Sequence, residues 1–231
     1  MSIYAISDLH LLGNNDKPMD VFGAHWRGHF ESICKVWRET VAKDDTVLLC
    51  GDFCWAMHLE DALDDLNSLN ELPGTKVLIR GNHDYWWSTI SKMRQVAGDS
   101  IVFIQNDSYE TDEAVICGSR GWPSPGSSEY SAHDEKIYKR ELIRLELSIE
   151  SIKSDKPKIL MLHYPPFLLS SNGSFIETEF TKLIEKHEIK TVLFGHIHKP
   201  AQHPLSVIHN STSYHLTSCD MMGFKIKKID I

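Results

Sequence analysis

The stretch VLIRGNHDYWW, residues 77–87, joins an apolar run of strand length to several polar side chains and three aromatic rings. Gly81 and Asn82 are typical of a turn that follows a strand. A turn alone does not require the imidazole of His83 or the carboxylate of Asp84. Whether these side chains form an isolated turn or part of a larger site depends on how the other apolar segments end.

Apolar segments of strand length alternate with segments of helical spacing over most of the chain. Residues 30–41, 59–69 and 134–154 carry apolar side chains three and four positions apart, which predicts amphipathic helices. Most strand candidates lack polar alternation, which is typical of a sheet covered on one or both faces. The strands predicted in this part of the chain are Ile3–Ser7, Thr46–Cys50, Lys76–Ile79, Ile101–Ile104, Ala114–Gly118, Lys158–Leu162 and Thr191–Phe194.

The pattern changes after Gly195, where three short segments predict antiparallel strands without helices between them. We expect these strands to complete a second sheet; they are residues 206–209, 213–218 and 224–231. Residues 11–27 and 119–132 are predicted loops, and loops of such length in a compact domain are usually functional or mobile.

Composition places the chain among ordinary globular proteins. Its 231 residues are 42% hydrophobic and 24% charged, and the net charge of −8 argues against general binding to nucleic acids or anionic membranes. The N-terminal residues are typical of a strand rather than a signal peptide. Five cysteines without a CxxC pair suggest reduced thiols and a cytoplasmic location. The chain contains thirteen histidines, a high number that favours a metal site with histidine ligands.

Five predicted strands end in side chains that can bind a metal or transfer a proton. In open α/β sheets, ligands bind at the carboxyl ends of the strands, so the sequence predicts one site at this edge. The side chains are Asp8 and His10, Asp52, Asn82 with His83 and Asp84, His163, and His196 with His198.

The spacing of these residues suits two neighbouring metal ions. Residues two apart in an extended chain point the same way, which applies to Asp8 with His10 and to His196 with His198. Two-metal hydrolytic centres hold their ions about 3.5–4 Å apart, so one carboxylate must bridge them, and Asp52 after a glycine is the candidate. Oxygen and imidazole donors without thiolate favour Mn, Fe, Zn or Co.

The motifs Asp8-x-His10, Gly51-Asp52, Gly81-Asn82-His83-Asp84, His163 and Gly195-His196-x-His198 resemble, in order, those of the calcineurin-like metallophosphoesterases. The GNHD form resembles the bacterial phosphodiesterase branch. The resemblance implies an α/β fold, a four-layer α/β/β/α sandwich of two mixed sheets flanked by helices. It also implies a single metallophosphoesterase domain over residues 1–231.

The same resemblance implies a role for each residue of the site. Asp8, His10, Asp52 and His198 would bind one transition-metal ion (Mn, Fe or Zn), and Asp52, Asn82, His163 and His196 would bind the other. His83 would be the catalytic imidazole, with Asp84 orienting it. The implied reaction is hydrolysis of a phosphodiester or phosphomonoester by a metal-bound hydroxide.

The substrate is predicted only as a class, a small phosphorylated molecule. Arg120 suits bidentate contact with phosphate. Tyr85 and Trp86 could stack on a substrate ring or pack at the edge of the sheets. Two alternatives stay open, a protein Ser/Thr phosphatase of the same fold and a non-catalytic metal-binding scaffold.

Overall fold

The computed structural model describes residues 1–13, 18–199 and 203–230. Its first sheet has five strands, in the spatial order β13 (Lys227–Ile229), β1 (Ile3–Ile6), β2 (Thr46–Leu49), β3 (Thr75–Leu78) and β4 (Ile101–Phe103). Strands β1 to β4 are parallel, and β13 runs antiparallel to β1. The carboxyl ends of four strands therefore share one edge of this sheet.

The second sheet has six strands, of which the four central ones are parallel. Antiparallel strands cover both edges. In spatial order the strands are β11 (Ser206–His209), β12 (Thr212–Leu216), β10 (Thr191–Phe194), β7 (Lys158–Leu162), β6 (Val115–Ser119) and β5 (Ser108–Glu110). A separate hairpin pairs β8 (Leu168–Leu169) with β9 (Phe175–Ile176).

Five α-helices lie on the outer faces of the two sheets within the described residues. They are α1 (His29–Thr40), α2 (Leu63–Asn70), α3 (Ile90–Val96), α4 (Glu135–Glu150) and α5 (Glu179–Lys186). Trp37, Leu66 and Met93 of the first three helices join the apolar cluster on the outer face of the first sheet. Leu145 of α4 and Phe180 of α5 join the matching cluster on the second sheet.

A third apolar cluster lies between the two sheets. Ile3 and Leu48 of the first sheet and Ile159 and Leu193 of the second are in this cluster, and all are buried. Alternate residues of β1 and β2 point to the helices instead, so both faces of these strands are covered. The four-layer sandwich of two mixed sheets predicted from the sequence is confirmed.

The C-terminal strands agree with their prediction in part. Strands β11 and β12 form the expected antiparallel pair, and β12 also runs parallel to β10 on its other side. The predicted strand 224–231 is shorter and joins the first sheet beside β1 instead of completing the second. Alternation of side chains indicates a strand but does not say which sheet edge it joins. Residue 231 lies outside the described residues.

No helix in the described part of the chain is both long and apolar enough to cross a membrane. All five cysteines are unpaired, and four of them are buried, as their apolar surroundings in the sequence predicted.

Candidate metal centre

The predicted ligands meet where the carboxyl ends of both sheets come together. Eight non-glycine residues have positive φ among the described residues, and half of them are predicted ligands: Asp8 (57°), His10 (47°), Asp52 (52°) and His196 (71°). The left-handed region is unfavourable for residues with a Cβ, and it is frequent at functional sites. The sharp turns aim side chains from separate strands into one space.

Two glycines let the loops after β2 and β3 come close together. Gly51 has a φ of 90°, and a Cβ there would lie 2.6 Å from the Cα of Gly81 and 2.8 Å from His163 Nδ1. A Cβ on Gly81 would overlap the Asp52 carboxylate. Both glycines are therefore required by close approach around Asp52.

Asp8, His10 and His198 form the first group of donors. Nε2 of His10 lies 3.4 Å from Nε2 of His198, which lies 3.7 Å from Asp8 Oδ1. Nε2 of His10 is also 3.9 Å from Asp52 Oδ2. The other Asp8 oxygen accepts hydrogen bonds from Ser7 Oγ (2.5 Å) and Ser218 Oγ (2.9 Å), which fixes the orientation of the carboxylate.

Asn82, His163 and His196 form the second group, again with Asp52. Asn82 Oδ1 lies 2.5 Å from His163 Nε2 and 3.0 Å from His196 Nδ1, and His163 Nε2 is 3.5 Å from Asp52 Oδ2. Oδ1 of Asp52 instead accepts the backbone N–H of His83 at 2.8 Å. A single Asp52 oxygen therefore faces both groups.

The arrangement of lone pairs in the second group fits a cation. His163 Nδ1 donates to the Cys50 carbonyl at 2.9 Å, so the neutral ring has its lone pair on Nε2. That lone pair and the Asn82 carbonyl oxygen face the same space, where neither can donate to the other. A metal ion bound by both would satisfy them, and this oxygen–imidazole set suits the transition metals expected from the sequence.

Without a cation, burying ionised carboxylates at this centre would cost free energy. Asp8, Asp52 and Asp84 are at most 1% exposed. Burial raises the pKa of all three carboxyl groups, and for Asp52 the neighbouring Asp84 and Asp8 carboxylates raise it further. Burial also lowers the pKa of His10 and His163 well below the usual value. Neutral imidazole is the protonation state that a metal ligand requires, and a bound cation would in turn favour the ionised form of the carboxyl groups.

Two carboxylates that the sequence analysis missed hold histidines of the centre in place. Glu129 Oε2 lies 3.0 Å from His196 Nε2, and Asp220 Oδ1 lies 3.0 Å from His198 Nδ1. In each ring the nitrogen away from the donor group has a carboxylate partner, a pairing typical of metal-bound histidine. For His198 burial opposes protonation, but the Asp220 and Asp8 carboxylates outweigh it and raise its pKa. Neither carboxylate belongs to a motif, although Asp220 closely follows a predicted strand.

His83 lies against the first group, with its ring centroid 4.4 Å from Trp55 and 5.7 Å from His10. Trp55 also stacks on His10 at 4.8 Å. The sequence analysis did not identify Trp55, which comes three residues after Asp52 without a motif of its own. These contacts place the His83 imidazole beside the first donor group, and its predicted catalytic role stays a prediction.

The Asp84 carboxylate is occupied mainly by hydrogen bonds from backbone N–H groups. It accepts N–H groups of Asp52 (2.9 Å), Phe53 (2.9 Å) and Gly81 (2.6 Å), and the indole N–H of Trp86 (3.0 Å). These bonds join the loops after β2 and β3, so Asp84 fixes the backbone that carries the ligands. Its predicted role in orienting the His83 ring stays a prediction.

The three predicted substrate residues lie in different surroundings. Tyr85 is exposed, with its ring centroid 6.3 Å from His83. Trp86 is only 1% exposed and packs in the core of the first sheet, so the predicted substrate contact is corrected to a structural role. Arg120 is largely buried and lines a cavity on the side of α4.

An apolar cavity of about 320 Å³ opens beside His83. Met19, Phe22, Trp26 and Trp55 line it together with the imidazoles of the first donor group. The cavity therefore joins an apolar surface directly to the candidate metal centre.

The comparisons with known proteins agree with this geometry. A search of curated proteins finds no match. Among solved structures, a protein of unknown function from Aquifex aeolicus is 17% identical with a TM-score of 0.53, covering 98% of this chain and 95% of that one. The phosphopantetheinyl hydrolase from Mycobacterium tuberculosis is 13% identical with a TM-score of 0.58, covering 99% and 95%. At these identities the likeness shows the fold alone.

The family comparison covers the whole candidate centre. The model for the calcineurin-like phosphoesterases matches residues 1–200, which include every predicted ligand from Asp8 to His198. The chain therefore belongs to the calcineurin-like phosphoesterase family.

Proposed function

We propose that the chain is a dinuclear metal-dependent phosphoesterase that hydrolyses phosphodiester or phosphomonoester bonds of small molecules. The observation that carries the proposal is the position of Asp52 Oδ2, which faces both donor groups. Seven side chains supply the donors: Asp8, His10, Asp52, Asn82, His163, His196 and His198. When bound, two metal ions would supply Lewis-acid stabilisation of the phosphoryl oxygens and an activated water.

The residues around the donors would orient the substrate and move a proton. His83 stands beside the first donor group, and its backbone N–H binds the bridging carboxylate. An imidazole in this place can donate a proton to the leaving-group oxygen as the ester bond breaks. Trp55 packs against this ring and limits its movement.

The apolar cavity supports a leaving group whose part next to the reacting oxygen is apolar or aromatic. Its wall contains Met19, Phe22, Trp26 and Trp55, and it borders His83. A leaving group with an apolar or aromatic part would bury surface there while its oxygen stays within reach of the imidazole. We expect esters of such alcohols to be hydrolysed with a lower KM than esters of small polar alcohols.

The experiment joins metal analysis to hydrolysis of a panel of diesters and monoesters by the purified chain. We expect two transition-metal ions per chain and turnover of at least one ester class. Asp52→Asn should lower the occupancy of both ions, because it removes charge from the shared ligand, whereas His10→Ala should weaken mainly one. Full occupancy in Asp52→Asn would reject the bridging role, and no turnover by the metal-loaded chain would reject the activity.

A further inference from the structure

A second cavity, of about 310 Å³, lies where the carboxyl ends of β3, β4 and β6 meet α4. Three arginines line it, Arg80 after β3, Arg120 after β6 and Arg144 on α4. None of the seven metal-ligand candidates lines this cavity. The proposed reaction therefore does not account for the concentration of guanidinium groups.

Contacts with neighbouring side chains fix the guanidinium of Arg120. Its Cζ lies 4.4 Å from the ring centroid of Trp122, whose Nε1 donates to Asp134 Oδ1 at 3.0 Å. Its Nε is buried and has no hydrogen-bond partner among the described residues. A buried N–H without an acceptor is costly, so a ligand that supplies an acceptor would be favoured here.

The charge of the cavity is unbalanced. Glu141 is the single carboxylate among the lining residues, and it is 1% exposed. Its Oε1 is 2.8 Å from Arg144 Nη1 and 3.4 Å from Arg120 Nη2, so it is shared between two cations. The Arg80 guanidinium is held by the Asp84 carbonyl (3.2 Å from its Nε), which carries no full charge. Positive charge in excess persists here although the whole chain carries −8.

We propose that this cavity binds an oxyanion of the phosphate class through Arg80, Arg120 and Arg144. Guanidinium groups bind phosphate through paired N–H donors, and Ser119 and Thr89 add hydroxyl groups to the same wall. The segments that carry the cavity arginines are also next to candidate ligands, since Arg80 is two residues from Asn82 and the Arg120 carbonyl accepts the His163 N–H at 3.0 Å. A second, non-reacting phosphate of the substrate would fit this position, a detail that rests on the proposed function.

Binding of inorganic phosphate to the metal-loaded protein, measured by titration calorimetry, tests the site. We expect two phosphate-binding events, one at the metal ions and one in the arginine cavity. Arg144→Met should weaken the cavity event by about tenfold to a hundredfold, since one charge-assisted contact is lost. Arg140→Met removes an exposed arginine from the same helix outside the cavity and should change neither event. Glu141→Gln should strengthen the same event, because the competing carboxylate is neutralised. A misfolded variant would not bind phosphate more tightly.

Two further measurements distinguish a phosphate site of the substrate from a site for free phosphate, and this proposal from the proposed function. Asp52→Asn should retain the cavity event even if the chain has no hydrolytic activity, so failure of one proposal is distinct from failure of the other. A KM for propane-1,3-diol bisphosphate that rises in Arg144→Met, with the KM for propyl phosphate unchanged, assigns the anion to the substrate. Unchanged KM values with weakened phosphate binding assign the site to free phosphate. Equal phosphate binding by Arg144→Met and Arg140→Met would overturn the site.

Discussion

Asp52 reaches both donor groups because its two carboxylate oxygens have different partners. Oδ1 is held by the His83 backbone N–H, so Oδ2 is left to face the donors. The residue has positive φ, which costs on the order of 1–3 kcal/mol at a non-glycine residue. Asp84 helps to offset this cost by accepting the Asp52 N–H, and so the strained turn is held by a neighbouring buried carboxylate.

The role of His83 can be tested by the choice of leaving group. His83→Ala should leave the metal content unchanged, because the side chain is outside both donor groups. General acid catalysis is typically worth about 10²–10⁴-fold and matters most for poor leaving groups. We expect kcat/KM to fall much more for an alkyl phosphate ester than for a nitrophenyl ester, whose phenolate leaves unaided.

Equal losses for both esters would reject the acid role and leave His83 as a group that stabilises charge. Loss of metal in His83→Ala would instead move the residue into the donor set. Elemental analysis of the same preparation distinguishes these results.

The sequence predicted residues of this site wherever each followed its own apolar strand. All seven donors meet as expected, since strand ends are recognisable and parallel strands share an edge. For Trp86 the sequence left two roles open, because an aromatic residue beside a site has the same sequence signal whether it faces the substrate or the core. Glu129 and Asp220 were missed because their positions depend on loop paths that periodicity does not describe.

At the scale of elements, two loops complete the centre from outside the motifs. The loop 119–132 after β6 brings Glu129 to His196, and the segment after β12 brings Asp220 to His198. Each loop therefore serves a different donor group. The length and composition of the first loop predicted that it is functional or mobile, but which residue acts there depends on its conformation.

Because each carboxylate contacts a different donor group, two matched variants should each weaken the binding of a different one of the two ions. Glu129→Gln should weaken mainly the ion held by Asn82, His163 and His196, and Asp220→Asn mainly the other. Loss of such an outer partner typically costs 10- to 100-fold in metal affinity. Competition with a chelator, followed by elemental analysis, measures both ions. Identical losses in the two variants would contradict separate roles.

Lys76 connects β3 to the C-terminus of α2. The side chain is fully buried, and its Nζ donates to the carbonyl oxygens of Leu72 (2.5 Å) and Gly74 (2.8 Å). Burial lowers its pKa from 10.5 to about 8. Between these values the unfolded chain holds more of this proton than the folded protein, so this group makes stability rise with pH.

Lys76→Met should lower the free energy of unfolding by about 1–3 kcal/mol, because buried carbonyl groups lose their donor. The difference between wild type and variant should grow as the pH rises from 8 to 10.5. Urea unfolding with chelator present, repeated over this range, measures it. A difference that shrinks with pH would show that the ammonium form is favoured by the fold.

The order of elements was more predictable than their partners. Apolar periodicity identified the core strands within one or two residues and α1 within one residue, whereas the helix predicted over 134–154 ends at Glu150. The short helices α3 and α5 received no individual assignment, since seven or eight residues give little periodic signal. The partner of β13 was wrong because the free edge of β1 is a property of the assembled sheet, not of residues 224–231.

At the scale of the whole molecule, the candidate metal centre joins the two sheets. Asp8, His10, Asp52 and Asn82 follow strands of the first sheet, and the three other histidine donors follow strands of the second. The apolar layer between the sheets brings these ends together. The complete donor set thus exists only when both sheets have formed and packed.

Metal binding should therefore stabilise the entire fold and not the loops alone. A ligand that binds only the folded state adds about 2.7 kcal/mol at a hundredfold excess over its Kd. We expect chelation to lower the Tm of the wild type in one cooperative transition, seen alike by far-ultraviolet circular dichroism and by tryptophan fluorescence. On chelation, Asp52→Asn should show a much smaller decrease in Tm, whereas Arg140→Met should behave like the wild type.

The same Tm with and without metal would mean that the donors do not hold an ion across the two sheets. Two separate transitions would mean that each sheet unfolds independently, and that the buried layer between them does not couple the two halves of the centre.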